Sequence, residues 1–318
     1  MKKLVAVISG DPDSINSEII AKAWKKRNKF KNINIFIIGS YDLLKKQFEI
    51  LKIPLKINKI NNLNDVNSKK GLSIYDIPIK FNKPFAFEKI NKKNYIFKSL
   101  NIGIKFASEK KILGFINCPI NKNEIFQNGL GLTEFLAKKT GTFGNEAMLI
   151  YNKKLSVSPI TTHIKLKKVS RSISSKKIYN KIFTINKFYK TKFQIKPKIA
   201  VTGLNPHNDE FRNNSEEKKI ILPVINKLKK RGIRVVGPIS SDTAFMKFKN
   251  KNFNVLVGMY HDQVLSPFKA IFGFNAINIT LGLPFVRISP DHGTGRDIIK
   301  KNIADPTSLI EAIKFFTR

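Results

Sequence analysis

The sequence predicts an α/β fold built on mainly parallel sheet. Two observations carry this. Short β-branched runs alternate with longer amphipathic stretches along the chain, the pattern of repeated strand–helix–strand units. The chain has 318 residues, of which 42% are hydrophobic, enough for one large or two medium cores.

The predicted strands are Leu4–Ser9, Ile33–Ile38, Ile112–Asn117, Ala147–Tyr151, Lys198–Thr202, Arg234–Gly237, Val255–Met259 and Ala276–Thr280. The predicted helices are Ser17–Asn28, Asp42–Leu51, Asn94–Ser108, Lys176–Tyr189, Glu216–Arg231 and Pro306–Phe316. In the last of these, Leu309, Ile310, Ile313 and Phe316 recur at helical spacing. The polar, Asn- and Lys-rich stretch Lys56–Lys70 reads as a loop or insertion. There is no internal repeat and no Pro-rich or Gly/Ser-rich linker, so the sequence marks no domain boundary. The chain is expected to cross between lobes more than once.

No window approaches the roughly 18 uncharged apolar residues of a membrane span. The first apolar run stops at Gly10-Asp11-Pro12, a strand followed by a turn rather than a signal-peptide core. A cytoplasmic, unprocessed protein is expected, and the single cysteine, Cys118, fits a reducing compartment.

The formal net charge is +37. Dense Lys and Arg bind phosphate backbones through counterion release, which makes a basic nucleic-acid-binding protein the competing class. Against it, the lysines are spread along the whole chain among abundant Asn, Ile and Phe, the residue set that AT-rich codons encode. No zinc-finger spacing, RNP motif or basic tail appears. The charge would still draw in small phosphorylated, anionic substrates. No G-x-G-x-x-G follows a predicted strand, so any dinucleotide is held without the ordinary Rossmann turn.

The 4 histidines stand out against this background. His163 (Thr161-Thr162-His163), His207 (Asn205-Pro206-His207) and His261 (Tyr260-His261-Asp262) each fall just beyond a predicted strand or at its end, and His292 lies in Asp291-His292-Gly293-Thr294. Ligands of open α/β sheets bind at the carboxyl ends of strands. Three imidazoles meeting there would match a catalytic metal site with one open position. A lone histidine after a strand is equally a hydrogen-bonded loop residue, and spacing alone leaves both readings open. Asp262 and Asp242 are candidate acid–base partners, although Asp242 also reads as a helix N-cap. Lys269, Asn278 and Arg287 could bind phosphate. Arg287 ends the apolar run Leu281–Val286, as an internal ion-pair partner or as an anion clamp.

The segments TTH, GLNPH, MYHDQ, NITLGLPFVR and DHGT, in this order and at these intervals, resemble the 4-hydroxythreonine-4-phosphate dehydrogenases of pyridoxal phosphate biosynthesis, the PdxA family. The start GDPxxIxxEI and the middle TEFLA fit as well, so the resemblance runs over essentially the whole chain. It implies one catalytic unit, residues 1–318, of two α/β lobes like isocitrate and isopropylmalate dehydrogenases, with a cleft between them. It also implies a homodimer with shared active sites. His163, His207 and His261 would hold one divalent metal, zinc or alternatively magnesium, cobalt, nickel or manganese. Thr133, Lys269, Asn278 and Arg287 match substrate-binding positions, and Asp291, His292, Gly293 and Thr294 the cofactor side. The implied reaction is NAD- or NADP-dependent oxidation of 4-phosphooxy-threonine to a 3-oxo acid, which decarboxylates to 3-amino-2-oxopropyl phosphate, with Asp262 or Asp242 as base.

Three departures stand out. The family's GHTE is here Gly131-Leu132-Thr133-Glu134, so a substrate-contacting histidine is replaced by Leu132. Such a contact is commonly worth about 1–3 kcal/mol when its partner is left unpaired. The family's GDPAGIGPE reads Gly10-Asp11-Pro12-Asp13-Ser14-Ile15-Asn16-Ser17-Glu18, with two glycines lost. Its HAGE reads His207-Asn208-Asp209-Glu210. A related dehydrogenase for a phosphothreonate or phosphoerythronate is therefore the alternative within enzymes.

Overall fold

The computed structural model describes residues 3–317 apart from 31, 127–130 and 252. The strands in chain order are β1 (Leu4–Ile8), β2 (Asn34–Gly39), β3 (Ile57–Ile60), β4 (Leu72–Asp76), β5 (Gly114–Asn117), β6 (Ala147–Tyr151), β7 (Ser156–Pro159), β8 (Ile199–Thr202), β9 (Val235–Ile239), β10 (Val255–Gly258), β11 (Ile277–Leu281) and β12 (Val286–Pro290). The helices are α1 (Asn16–Lys25), α2 (Tyr41–Ile50), α3 (Lys89–Ser108), α4 (Lys122–Ile125), α5 (Leu132–Lys139), α6 (Val169–Ser172), α7 (Ser175–Phe193), α8 (Leu222–Lys230), α9 (Ser241–Lys251), α10 (His261–Phe272) and α11 (Thr307–Phe315). Two compact units result, Met1–Leu132 with Pro284–Arg318, and Thr133–Leu283.

In the first unit the strand order is β3-β4-β2-β1-β5-β12, every neighbouring pair parallel. The central strand β1 reads Leu-Val-Ala-Val-Ile and is buried throughout. An unbroken apolar run of this kind belongs to a parallel sheet covered on both faces. Helix α3 packs on β1, β2 and β5, α11 packs on β12, and α1 packs on α2 and α11.

In the second unit the order is β11-β6-β7-β10-β8-β9. The short connection 152–155 makes β6 and β7 an antiparallel hairpin, and β11 is antiparallel to β6. The remaining pairs, β7/β10, β10/β8 and β8/β9, are parallel. Val157, Ala200 and Leu256 from these strands pack with Val264, Leu265 and Phe268 of α10. The rings of Phe268 and Phe272 pack at 4.8 Å between centroids, tilted by 43°.

The α/β class and the parallel sheet agree with the sequence. Several elements do not. Lys56–Lys70 is not all loop, since it contains β3 and a 3-10 turn at Leu63–Asp65. The polar reading arose because β3, Ile-Asn-Lys-Ile, is an edge strand with only Ile60 buried. Strand β7 escaped notice because Ser156 and Ser158 are polar yet buried. The Tyr189 hydroxyl donates to Ser156 Oγ at 2.8 Å, and Ser158 Oγ donates to the Met148 carbonyl at 2.7 Å. The helix predicted over Glu216–Arg231 begins as a π turn at Glu217–Ile221, before α8 proper. Among the described residues no helix is long and apolar enough to cross a membrane.

Phe268 is fully buried in the second unit's core. Phe268→Ala is expected to destabilise the protein by about 3–5 kcal/mol, read as a lowered denaturation midpoint in urea.

Candidate active site

Four parallel strands of the second unit, β7, β10, β8 and β9, deliver their carboxyl ends to one edge. His163 lies just beyond β7, His207 beyond β8, Asp242 beyond β9 and His261 beyond β10. The rings of His163 and His261 lie 5.6 Å apart between centroids, tilted by 42°. His261 opens α10, and its Nδ1 lies 2.7 Å from Asp262 Oδ1. The carboxylate can only accept, so Nδ1 donates to it and Nε2 is the nitrogen left to face a metal.

His207 is presented differently. Residues 207–210 form a left-handed turn, with φ of 51°, 61°, 47° and 49°. Left-handed backbone costs roughly 1–2 kcal/mol per non-glycine residue, so the surroundings must hold it. Two buried side chains do so. Glu217 accepts from the backbone N–H groups of Leu204 (2.7 Å) and Asn205 (2.8 Å) and from Asn205 Nδ2 (3.1 Å). Asn208 is buried beneath the turn, its Nδ2 donating to the Pro238 carbonyl at 3.5 Å. A Cβ at Gly203 would meet Asn208 Oδ1 at 2.2 Å and Glu217 Oε1 at 2.9 Å, so a larger residue there would displace the two side chains that hold the turn.

Gln263 ties the strand ends together. Its Oε1 accepts from Met259 N–H (2.6 Å) and Thr202 Oγ1 (3.1 Å). Its Nε2 donates to the Gly203 carbonyl and to Ser241 Oγ, each at 2.8 Å. One side chain thus fixes the ends of β8 and β10 and the start of α9. Gln263 lies within the MYHDQ segment, and neither its role nor that of Glu217 is legible there. No sequence signal marks a glutamine or a glutamate that works by gathering backbone groups from distant segments.

The donor set fits a metal in part. Among the described residues no group of three His, Cys, Asp or Glu is close enough to hold an ion. A single chain brings His163 and His261 together and carries His207 on a separate strained turn. Asp242 is the second residue of α9, exposed, with Oδ1 accepting from Thr243 N–H at 2.8 Å. It stands inside the first turn, not at the N-cap position that its local sequence suggested.

Thr133 and Thr280 meet through their hydroxyls at 3.4 Å. Asn278, on β11, has its Oδ1 buried with no hydrogen-bond partner, and such an orphaned acceptor calls for a ligand or water. Lys269 is exposed in the last turn of α10. Leu132 is only 2% exposed and offers no polar group. Lys181, absent from the sequence-derived set, lies at the carboxyl end of β7, its Nζ donating to the Pro159 carbonyl at 3.4 Å. Burial lowers its pKa, with Glu146 and Glu134 pulling the other way.

In the first unit Arg287 is buried, and its Nε donates to Asn117 Oδ1 at the end of β5 at 2.6 Å. The Asp291–Thr294 segment leaves the end of β12. Asp291 N–H donates to Ser308 Oγ at 2.8 Å, His292 Nδ1 lies 2.9 Å from the Gly293 carbonyl, and the Thr294 carbonyl accepts from Ile15 N–H at 3.1 Å. A Cβ at Gly293 would meet nothing within 4 Å, so the strip is open at that residue.

Comparison with known proteins converges on one family. The family model described as pyridoxal phosphate biosynthetic protein PdxA matches residues 31–316. A 4-hydroxythreonine-4-phosphate dehydrogenase from Sulfurihydrogenibium is 43% identical over 98% of this chain and 96% of its own length. A putative D-threonate 4-phosphate dehydrogenase from Oceanobacillus iheyensis is 33% identical over 98% of this chain and 96% of its own. The crystal structure of a 4-hydroxythreonine-4-phosphate dehydrogenase from Klebsiella pneumoniae superposes with a TM-score of 0.86 at 28% identity, covering 99% of both chains. With a family-model match over most of its length and full-length relatives above the threshold of chance likeness, this chain belongs to the PdxA family, the 4-hydroxythreonine-4-phosphate dehydrogenases of pyridoxal phosphate biosynthesis.

Proposed function

We propose that the chain oxidises 4-phosphooxy-L-threonine with NAD or NADP, and that the 3-oxo acid formed loses carbon dioxide to give 3-amino-2-oxopropyl phosphate. The observation that carries this reading is the His163–His261 pair with Asp262 on its outer nitrogen, at the carboxyl edge of a parallel sheet. The pair is two thirds of a three-imidazole centre, and His207 of a second copy supplies the third donor. When bound, a divalent metal such as zinc or magnesium supplies Lewis-acid polarisation of the substrate oxygen.

The protein's own residues do the rest. Asp262 fixes the tautomer and direction of His261. Asp242, the carboxylate not committed to a histidine, takes the hydroxyl proton as hydride leaves the same carbon for the nicotinamide. Cleavage of the bond to the carboxylate then releases carbon dioxide, and the electron pair left behind is protonated. Thr133, Asn278 and Lys269 orient the phosphorylated substrate, the Asn278 oxygen taking a donor from it. Asp291–Thr294 receives the cofactor.

A second reading has its own support. Leu132 is buried and makes no polar contact, and a relative of equal coverage is named for D-threonate 4-phosphate. Threonate carries a hydroxyl where threonine carries an ammonium, and turnover of the two phosphorylated acids tells the readings apart.

The direct test follows NADH absorbance with 4-phosphooxy-threonine, NAD and a divalent metal. Chelator is expected to abolish turnover and added metal to restore it. Faster turnover of 4-phosphothreonate, by kcat/KM, would instead establish the second reading. His261→Ala is expected to lower metal content and kcat/KM together. Asp262→Asn should weaken metal affinity or activity by about 10–100-fold, the usual effect of removing the partner of a ligating imidazole. Asp242→Asn should leave metal content intact and lower kcat by about 100-fold or more, the contribution of a positioned base. Metal loss in Asp242→Asn would overturn the division of roles.

A further inference from the structure

The loop after β1, where two family glycines are lost, holds a buried lysine that the mechanism above does not use. Lys92, on α3, is 2% exposed. Its Nζ lies 3.1 Å from Asp13 Oδ2 and 3.7 Å from Asp11 Oδ1, and it also contacts Glu124 Oε2. Glu124 reaches onward to Arg296, Oε1 to Nη2, at 2.7 Å. Asp11 and Asp13 belong to the loop after β1, Glu124 to the short helix after β5, and Arg296 to the segment after β12. These three strands run parallel side by side, so all three loops leave the same carboxyl edge. Lys92 stands under their meeting point.

The substituted residues reinforce this arrangement. Asp13, which replaces the family's alanine, is one of the three carboxylates that Lys92 binds. Asn16, in place of a glycine, donates through Nδ2 to the Pro119 carbonyl at 2.8 Å. Ser14, in place of the other, donates to the Asp11 carbonyl. Asp11 Oδ2 accepts from Asn121 N–H at 3.2 Å, and Ile15 N–H donates to the Thr294 carbonyl at 3.1 Å. Side-chain bonds thus set a turn that glycines would otherwise have let vary. Burial penalises the Lys92 ammonium, but Glu124, Asp11 and Asp13 outweigh it and hold its pKa above the ordinary lysine value. Buried ion pairs are poor stabilisers compared with apolar packing of the same volume, and their best-attested use is to specify one arrangement.

We infer that Lys92 is a positioning residue for the dinucleotide, gathering the loops after β1, β5 and β12 so that the Asp291–Thr294 strip is held in its receptive form. The inference rests on the reading of that strip as the cofactor's side. Lys92 is buried among three carboxylates and acts through the loops they belong to, so its removal should act on dinucleotide affinity and spare the metal and the phosphorylated substrate.

The test compares Lys92→Met, Lys92→Arg, Asp13→Asn and His292→Ala with the parent protein. Dinucleotide affinity is read by NADH fluorescence titration, alongside KM for NAD, KM for the phosphorylated substrate, kcat, metal content and melting temperature. Lys92→Met is expected to raise the NADH Kd and the NAD KM roughly tenfold, with the other KM within about twofold. Lys92→Arg should recover most of that loss. Asp13→Asn, which keeps the Lys92–Glu124 pair, should shift the same two constants less, and serves if Lys92→Met does not fold. Unchanged NADH affinity in folded Lys92→Met or Asp13→Asn overturns the inference, as does a melting temperature that falls alone. If His292→Ala weakens NADH binding while Lys92→Met does not, the positioning role falls and the cofactor strip stands. If neither variant responds, the strip itself is misassigned and the inference falls with it.

Discussion

Parallel register in the second unit is the constraint from which the candidate active site follows. Because β7, β10, β8 and β9 run the same way, each strand hands the chain to a loop at the same edge. His163, His261, His207 and Asp242 are far apart in sequence, and each is the product of one such exit. Were one of these strands reversed, its functional residue would lie at the opposite edge. The antiparallel hairpin of β6 and β7 matters for the same reason, since with β11 antiparallel to β6 it leaves β11 running with β7. Asn278 and Thr280 sit on that strand.

The site is held by polar groups that reach across segments rather than by packing alone. Gln263 spends both ends of its amide on backbone and hydroxyl groups of three segments. Glu217 gathers the backbone N–H groups just before the left-handed turn that carries His207. A turn with about 1–2 kcal/mol of strain per residue persists only where its surroundings over-determine it. The Asp262–His261 bond is the third such element, and it sets the direction of the ring.

Electrostatics act at two ranges. The net charge of +37 makes the whole molecule attractive to phosphorylated substrates, and the attraction falls off over a Debye length of about 8 Å at physiological salt. Selection between such substrates belongs to short-range contacts. There the buried Leu132 offers no polar group. In the first unit charge is used for form: one lysine among three carboxylates joins loops from two strands, and Glu124 carries the link to a third through Arg296.

The alternation of β-branched runs and amphipathic stretches determined the α/β class, because burial on both faces of a parallel sheet leaves an unbroken apolar signature such as that of β1. The motifs around His163, His207 and His261 determined the family and the candidate donors, since strand-end residues need only their local turn to be recognised. Elements whose burial is hidden by polar residues, β3 and β7 among them, were not legible, for an edge strand and a buried serine pair look like loop when neighbours are unknown. Nor were the roles of Gln263, Glu217 and Lys92. Each depends on partners tens to hundreds of positions away, or on backbone groups that no side-chain pattern encodes. Only the tertiary structure decided that two histidines meet within one chain while the third stands apart, that Arg287 turns inward to Asn117, and that Asp242 lies inside a helix turn. Distance in space is set by sheet order and register, and these arise from the packing of the whole chain rather than from any stretch of it.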